Sequence, residues 1–220
     1  MDLDFGSWPE WARELLPGLK VSAQLLLGVV LIGSALSLLL ARARANRNRL
    51  VRALSIVVME IGRGFPALVG LYLVYYGLPS ANLTLGSFTA ATIALSVNFA
   101  GYTSDVLRAG FEAVPTGQIE ASQALGLPRK TQFFRIVLPQ AAHVFLPPML
   151  SWVIIYFQAT SLAYAISVPE LMSGAYQIAS NEYRYLELFL LAGLLYAVIC
   201  IPASRLVNFL ERRNRGATAY

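Results

Sequence analysis

Three polar side chains share one face of a predicted helix in an otherwise apolar chain. Asn98, Tyr102 and Asp105 are spaced at i, i+4 and i+7, which places them on one side of an α-helix. The carboxylate could pair with an α-ammonium group, and the amide and the phenol could orient a small polar solute. The structural alternative is that Asn98 bonds across helices and Asp105 pairs with Arg108 at i+3. The pattern therefore indicates a candidate substrate-binding face and leaves a packing role open.

Other polar groups interrupt apolar stretches elsewhere. Arg63 could meet a substrate carboxylate, although Glu60, three residues earlier, favours a local ion pair. Gln158 and Ser161 share a helix face at i and i+3, and both can hydrogen-bond. A charge at membrane depth costs roughly 3 kcal/mol or more unless it is paired or hydrated, so such residues are candidates for function. We therefore add Arg63, Gln158 and Ser161 to the substrate-binding candidates.

The residue types exclude several kinds of catalysis. One histidine and one cysteine cannot form a conventional protein metal cluster, and the cysteine cannot form an internal disulfide. The phosphate-binding pattern G-x4-G-K-[ST] is absent from the sequence. The chain is therefore not expected to hydrolyse ATP itself.

The composition is that of an integral membrane protein. The chain is 57% hydrophobic and 13% charged, with a mean hydropathy of +0.59, whereas roughly a quarter of the residues of a soluble domain are charged. A spanning helix needs about 20 mostly apolar residues. We predict an all-α polytopic fold of about five transmembrane helices, although residues 160–185 could hide a re-entrant segment. The predicted spans are residues 20–41, 53–78, 85–108, 137–165 and 186–210.

The cations predict the orientation of the spans. Basic residues cluster after the first, third and fifth spans, and the loops of the opposite side contain few. The positive-inside rule then places the N-terminus outside and the C-terminus in the cytoplasm. Nucleic-acid binding is a poor explanation because each cluster adjoins a span. The clustered cations are Arg42, Arg44, Arg47, Arg49 and Arg52, then Arg108, Arg129, Lys130 and Arg135, and finally Arg205, Arg212, Arg213 and Arg215.

The two ends of the chain are assigned separate roles. Acidic residues occupy the place of a basic signal-peptide region, so no cleavable signal is expected. Trp8 and Trp11 predict that residues 1–19 lie at the outer, periplasmic-side membrane interface. Residues 20–211 form the predicted transmembrane domain, and residues 212–220 form a cytoplasmic tail.

The loop between the third and fourth predicted spans, residues 112–136, has the sequence features of short helices, which a simple connector would not need. Residues 120–125 favour a helix, and Gly126 is placed as its C-terminal stop. Pro128 fits the first turn of a second short helix, residues 128–136. The sequence predicts two short helices joined by a glycine turn, and a structured but passive loop is the alternative.

The spacing of this loop resembles a family motif. Glu120-Ala121-Ser122, Gly126 and the run Ile136-Val137-Leu138-Pro139 are similar to the E-A-A-x3-G-x9-I-x-L-P loop of ABC importer permeases, with Ser122 replacing the second alanine. In that family the loop is the coupling helix that docks on the ATPase subunit. The resemblance implies ATPase docking by Glu120, Ala121, Gly126 and Arg129.

The flanking segments resemble the polar amino-acid uptake permeases of the histidine/glutamine/glutamate/arginine type. Residues 62–68 read G-R-G-F-P-A-L, similar to F-R-G-T-P-L-L, and residues 75–79 read Y-Y-G-L-P. Residues 101–110 resemble A-Y-T-A-E-x-x-R-A-G, with Asp105 in place of the usual glutamate. Gln158-Ala159 stands where the family commonly has Lys-Asp, two charged residues that help to hold the amino acid. Some glutamate/aspartate permeases are most similar at this point.

The resemblance implies a permease subunit in a bacterial inner membrane that imports a polar amino acid by alternating access. It also implies partners: ATP-binding subunits that hold ATP and magnesium, a second identical or homologous permease, and an extracytoplasmic solute-binding protein. Two other functions remain open. An ion-gradient-driven secondary transporter would need a deep acidic residue, and a membrane scaffold would need no substrate contacts at all.

Overall fold

The computed structural model describes residues 6–217, with side chains described to residue 211, and the described chain is helical without strands. Within residues 6–217, short connections join nine α-helices, and three of these helices continue into tighter or wider turns. The helices are α1 (Trp8–Arg44), α2 (Arg49–Gly64), α3 (Ala67–Tyr72), α4 (Ser87–Glu112), α5 (Thr116–Ala124), α6 (Arg129–Gln132), α7 (Leu138–Ala159), α8 (Leu171–Glu182) and α9 (Tyr185–Ala217). The continuing turns are Leu73–Gly77 and Leu78–Ala81 after α3, Phe133–Val137 between α6 and α7, and Thr160–Ile166 after α7.

In the described part of the chain, three helical segments are long and apolar enough to cross a membrane, and there are four if a bent pair is counted as one span. They are Trp8–Arg44, Arg129–Ile166 and Tyr185–Glu211, and the bent pair is Arg49–Gly64 with Ala67–Ala81. Five spans were predicted, and the difference arises at the second and third. The second is broken by a bend of 108°. The third corresponds to α4, whose polar residues keep it outside that set.

The bend between α2 and α3 has a local cause. Phe65 ends α2 in an extended conformation, with φ −91° and ψ 135°, and Pro66 follows. A residue before proline is pushed away from the helical region by the proline ring, and the proline itself has no N–H to donate. The chain therefore leaves α2 and begins α3 in a new direction.

Helix α4 lies at the centre of the bundle, and this position explains how it can be polar. It packs along α1, α2 and α7, and Leu95 and Phe99 are completely buried. Glycines allow close approach: a Cβ on Gly62 would lie 2.7 Å from the carbonyl oxygen of Val97, and one on Gly101 would lie 2.8 Å from the backbone nitrogen of Arg63. Neighbouring helices thus shield the polar atoms of α4 from lipid.

Helix α8 occupies the region where a re-entrant segment was considered. It has 12 residues and packs with α1 and α9 around Trp11, Leu15 and Leu188. Helix α1 runs without a break across the predicted boundary between residues 19 and 20, through Pro17. Residues 1–5, and the side chains of the predicted tail 212–220, lie outside the described part.

Candidate functional site

The 112–136 loop has the predicted form of two short helices around a glycine turn. Gly126 has φ +68°, the left-handed conformation that glycine adopts without steric cost. Its N–H donates to the carbonyl of Gln123 at 2.9 Å, and the N–H of Leu127 donates to the carbonyl of Ser122 at 3.1 Å. These two bonds form a Schellman motif, which satisfies the last carbonyls of α5. Pro128 was predicted in the first turn of the second short helix, and the structure places it just before that turn, as the N-cap of α6.

The loop presents its predicted docking residues at the surface. Glu120, Ala121, Gly126 and Arg129 are all exposed. Between them Leu125 is 78% exposed, although it is a large apolar side chain. An exposed leucine with polar neighbours is typical of a small protein interface, in which an apolar centre is surrounded by a polar rim.

Ser122, the departure from the family motif, fills a place that requires a small residue. Its side chain is 2% exposed, and its hydroxyl donates to the carbonyl of Ile119 at 2.6 Å. The amide of Gln132 donates to the same carbonyl at 3.1 Å. Serine therefore keeps the close packing that alanine would allow, and Gln132 ties the second short helix to the first.

The polar face of α4 meets the break between α2 and α3. The Asn98 amide nitrogen donates to the carbonyl of Gly62 and, at 3.2 Å, to that of Phe65. The Tyr102 hydroxyl donates to the carbonyl of Arg63 at 3.1 Å. From α7, the Tyr156 hydroxyl donates to Asn98 Oδ1 at 2.6 Å. Carbonyls that the helix break leaves without helical partners are thus satisfied by side chains of α4.

Asp105 is the centre of an ionic cluster. Arg44 Nη1 donates to Oδ1 at 2.8 Å, Arg63 Nη1 donates to Oδ2 at 2.8 Å, and Arg108 Nε donates to Oδ1 at 3.4 Å. Arg63 also pairs with Glu60, as the sequence favoured, and Asp105 pairs with Arg108, as the packing alternative held. One carboxylate therefore connects α1, α2 and α4.

Gln158 lies at the end of α7 and Ser161 lies in the turn that follows it, and the two residues are hydrogen-bonded within this segment. The Ser161 hydroxyl donates to the backbone carbonyl of Gln158 at 2.7 Å, and the side chain of Gln158 is exposed. Tyr156, two residues before Gln158, reaches Asn98. The structure thus brings together Asn98, Tyr102, Asp105 and Arg63, and connects the Gln158 region to them through Tyr156.

The sequence reading missed a buried carboxylate. Glu170 is fully buried at the start of α8, where it accepts bonds from the N–H groups of Met172 and Ser173 at 2.9 and 2.8 Å. The hydroxyls of Ser22 and Tyr196 donate to it at 3.3 and 3.0 Å. Burial raises the pKa of Glu170, and these bonds only partly oppose that rise. The sequence did contain a signal for this position. Glu170 comes just before an apolar helical run, and acidic residues are favoured at the start of a helix.

Arg44 and Tyr156 were also not recognised as parts of this site. Arg44 was counted only among the cations that indicate orientation, and Tyr156 lies in an apolar run. Neither contact is visible in local spacing, because Arg44 is 61 residues from Asp105 and Tyr156 is 58 residues from Asn98.

Comparison with known proteins agrees with this architecture. Residues 33–216 match the family model described as "binding-protein-dependent transport system inner membrane component". The chain is 37% identical to the L-cystine transport system permease protein TcyB of Bacillus subtilis, over 83% of this chain and 79% of that protein. It is 30% identical to the arginine transport system permease protein ArtQ of Bacillus subtilis, over 97% and 98% of the two chains.

Solved structures share the fold. A chain of "an amino acid ABC transporter with histidines" superposes with a TM-score of 0.88 at 30% identity, covering 97% of this chain and 100% of that one. A chain of the MetNI methionine ABC transporter gives a TM-score of 0.66 at 20% identity, covering 90% of this chain and 96% of that one, which shows the fold alone. The chain therefore belongs to the binding-protein-dependent transport inner membrane components, as a multi-pass permease subunit of the amino-acid ABC transporter type.

Proposed function

We propose that this permease imports a polar amino acid by alternating access, driven by ATP hydrolysis in a separate ATPase that docks on the 112–136 loop. The observation that carries the proposal is the shape of that loop. It is a helix pair closed by a Schellman motif at Gly126, and its exposed surface presents Glu120, Ala121, Leu125 and Arg129. ATP and magnesium would be bound by the ATPase partner.

The exposed Leu125 suits insertion into a cleft of the ATPase. Burying a leucine side chain stabilises a complex by about 1.5–3 kcal/mol. Glu120 and Arg129 would add charged contacts at the rim, where such contacts contribute more to orientation than to affinity. Because hydrogen bonds hold the loop's backbone, little conformational entropy would be lost when it docks.

Aromatic contacts connect the 112–136 loop to two helices of the bundle, α4 and α7, so a movement of the loop can reach both. Phe111 of α4 stacks on Phe133 with ring centroids 6.0 Å apart, and it contacts Phe145 of α7 at 5.9 Å. A displacement of the docked loop would therefore be passed to both α4 and α7. In the proposed cycle, closure of two ATPases moves two such loops, one on each of two identical or homologous permease subunits. An extracytoplasmic solute-binding protein delivers the amino acid.

The proposed substrate site lies beside α4 and the end of α7. Gln158, exposed there, would hydrogen-bond the amino acid, with Ser161 next to it. Asn98, Tyr102, Arg63 and Asp105 would form the wall of the chamber, held in place by the bonds around the α2–α3 break. Gln158 contributes no charge where the family commonly has one, so the ligand is an amino acid recognised through hydrogen bonds at that point.

The proposed orientation in the bacterial inner membrane places the 112–136 loop and the C-terminus in the cytoplasm and the N-terminus outside. The supporting observation is the ionic cluster at Asp105, which brings Arg44, at the end of α1, to the same level as Arg108, near the end of α4. Two basic clusters predicted to lie on one side of the membrane are therefore at one end of the bundle.

The docking claim is tested by co-purification with the cognate ATPase. The double variant Glu120→Ala with Gly126→Ala should lose at least about tenfold in association, which corresponds to roughly 1.4 kcal/mol. Gly117→Ala is the matched control, because a Cβ there meets open space in an unstrained helix. Unchanged association and uptake in the double variant would overturn the proposal. Uptake that persists with an inactive ATPase would instead favour an ion-driven transporter.

A further inference from the structure

A groove runs along the outer surface of the bundle between α1, α7 and α9. Its cavity volume is about 530 Å³, and its lining side chains are apolar apart from Lys20. Leu19, Lys20 and Leu26 come from α1, Phe157 comes from α7, and Cys200 and Ala203 come from α9. None of these residues belongs to the docking loop or to the proposed substrate site.

The groove exists because small residues face larger ones. Ala203 and Cys200 leave room where α9 approaches α1, while Leu19, Leu26 and Phe157 form the walls. A cavity of this volume is in the range of about 300–1,000 Å³ that is typical of small-molecule sites. Its apolar lining excludes a polar solute, since nothing along the walls would replace the hydrogen bonds that the solute makes with water.

Lys20 determines what kind of apolar molecule fits. It is exposed, it begins the apolar stretch of residues 20–41, and no carboxylate of the described part of the chain pairs with it. Lysine near the edge of the hydrocarbon region extends its ammonium group toward the lipid headgroups, where phosphate is the available anion. An apolar groove with one cation beside it is complementary to an acyl chain attached to a negatively charged headgroup.

We propose that this groove is a binding site for one anionic phospholipid, with an acyl chain against Leu19, Leu26 and Phe157 and the phosphate at Lys20. A lysine near the membrane surface favours anionic over zwitterionic lipid by about fivefold. The site would make the permease responsive to the lipid composition of its membrane, because α1, α7 and α9 are held together along the same groove.

The test uses the full chain in nanodiscs that contain brominated acyl chains, which quench nearby tryptophans. Leu19→Trp places a reporter in the groove, and Leu39→Trp, which is exposed on the same helix outside the groove, is the control. Fluorescence of the parent protein is subtracted. We expect brominated phosphatidylglycerol to quench the groove reporter at about one fifth of the lipid fraction that brominated phosphatidylcholine needs. The control should show no headgroup preference.

Two added substitutions identify the contacts. Lys20→Gln should remove the headgroup preference while leaving the acyl chain in place, and Ala203→Phe should fill the groove and reduce quenching by both lipids. Equal quenching of the groove and control reporters by both lipids, unchanged by Lys20→Gln, would mean ordinary surrounding lipid and would overturn the proposal. A groove reporter that no lipid quenches would show that protein covers the groove, for example a second copy of the chain, and would also overturn it.

Discussion

Arg63 Nη1 lies 2.8 Å from Asp105 Oδ2, and this ion pair joins the end of α2 to the central helix. Just beyond Arg63 the chain leaves the helix and turns at Pro66. The same short segment also gives its carbonyls to Asn98 and Tyr102. The polar face of α4 therefore holds a helix break in a defined position, whatever solute passes beside it.

Asp105→Asn should destabilise the permease. The side chain of Asp105 is 29% exposed and forms ion pairs with Arg44, Arg63 and Arg108. Because the substitution removes the negative charge from all three pairs, we expect a loss of about 1–3 kcal/mol in the free energy of unfolding. Chemical unfolding in detergent measures this loss. Glu112→Gln is the control, because Glu112 is exposed and pairs with Arg108. A variant that keeps full stability but has a raised KM for uptake would assign Asp105 to the substrate instead.

Gly101→Ala should separate α2 from α4. The added Cβ would lie 2.8 Å from the Arg63 nitrogen and 3.0 Å from the Met59 carbonyl oxygen, and backbone atoms cannot move aside cheaply. Overpacking of this kind costs about 1–3 kcal/mol. Thermal unfolding should show the decrease, whereas Gly70→Ala, with open space around its Cβ, should not. Equal melting temperatures for the two variants would mean that the α2–α4 contact has room for a Cβ at position 101.

Gly126→Ala should weaken the docking loop without affecting the bundle. An alanine at φ +68° costs about 1 kcal/mol, because its Cβ disfavours the left-handed region. Protease cleavage within residues 112–136 should become faster, while the unfolding transition of the whole chain stays in place. Gly117→Ala, in an ordinary helical conformation, should show neither change.

Gln158→Ala should raise the KM for uptake about fivefold, because removal of one hydrogen bond to the substrate costs about 1 kcal/mol. Stability should not change, since the side chain is exposed. Radiolabelled uptake in vesicles gives KM and kcat separately. Gln140→Ala is the control, because its amide donates to the Ile136 carbonyl in the turn just before its own helix. The substrate assignment fails if both variants have the KM of the parent.

Glu170 should make stability depend on pH. Burial raises the pKa of Glu170 above its ordinary value of 4.5, so the folded chain holds the proton more tightly than the unfolded chain does. The stability that protonation provides is complete below that ordinary value, and it is lost as the pH rises through the raised pKa. Glu170→Gln cannot lose a proton, so its stability relative to the parent should increase as the pH rises above the ordinary value of 4.5 and through the raised pKa.

Melting temperatures of Glu170→Gln and parent across that range give the measurement. Glu182→Gln is the control, because Glu182 is exposed at the other end of α8. A difference between Glu170→Gln and parent that stays constant with pH would show that Glu170 does not titrate differently in the folded state.

The sequence by itself determined the features that depend on local chemistry. The apolar stretches predicted helices in a membrane, and the order Gly126 then Pro128 predicted a helix stop and a new start, because each of these residues acts through its own backbone. The Glu60–Arg63 and Asp105–Arg108 ion pairs could also be inferred from the sequence, because residues three apart are neighbours on the surface of a helix.

Only the tertiary structure decided which distant groups meet. Asp105 joins Arg44 and Arg63, Asn98 joins Tyr156, and Glu170 becomes a fully buried carboxylate next to Ser22. None of these contacts follows from spacing, because each depends on the angle and depth at which helices from separate parts of the chain pack. The direction of the 108° bend and the shielding of the polar α4 were decided in the same way.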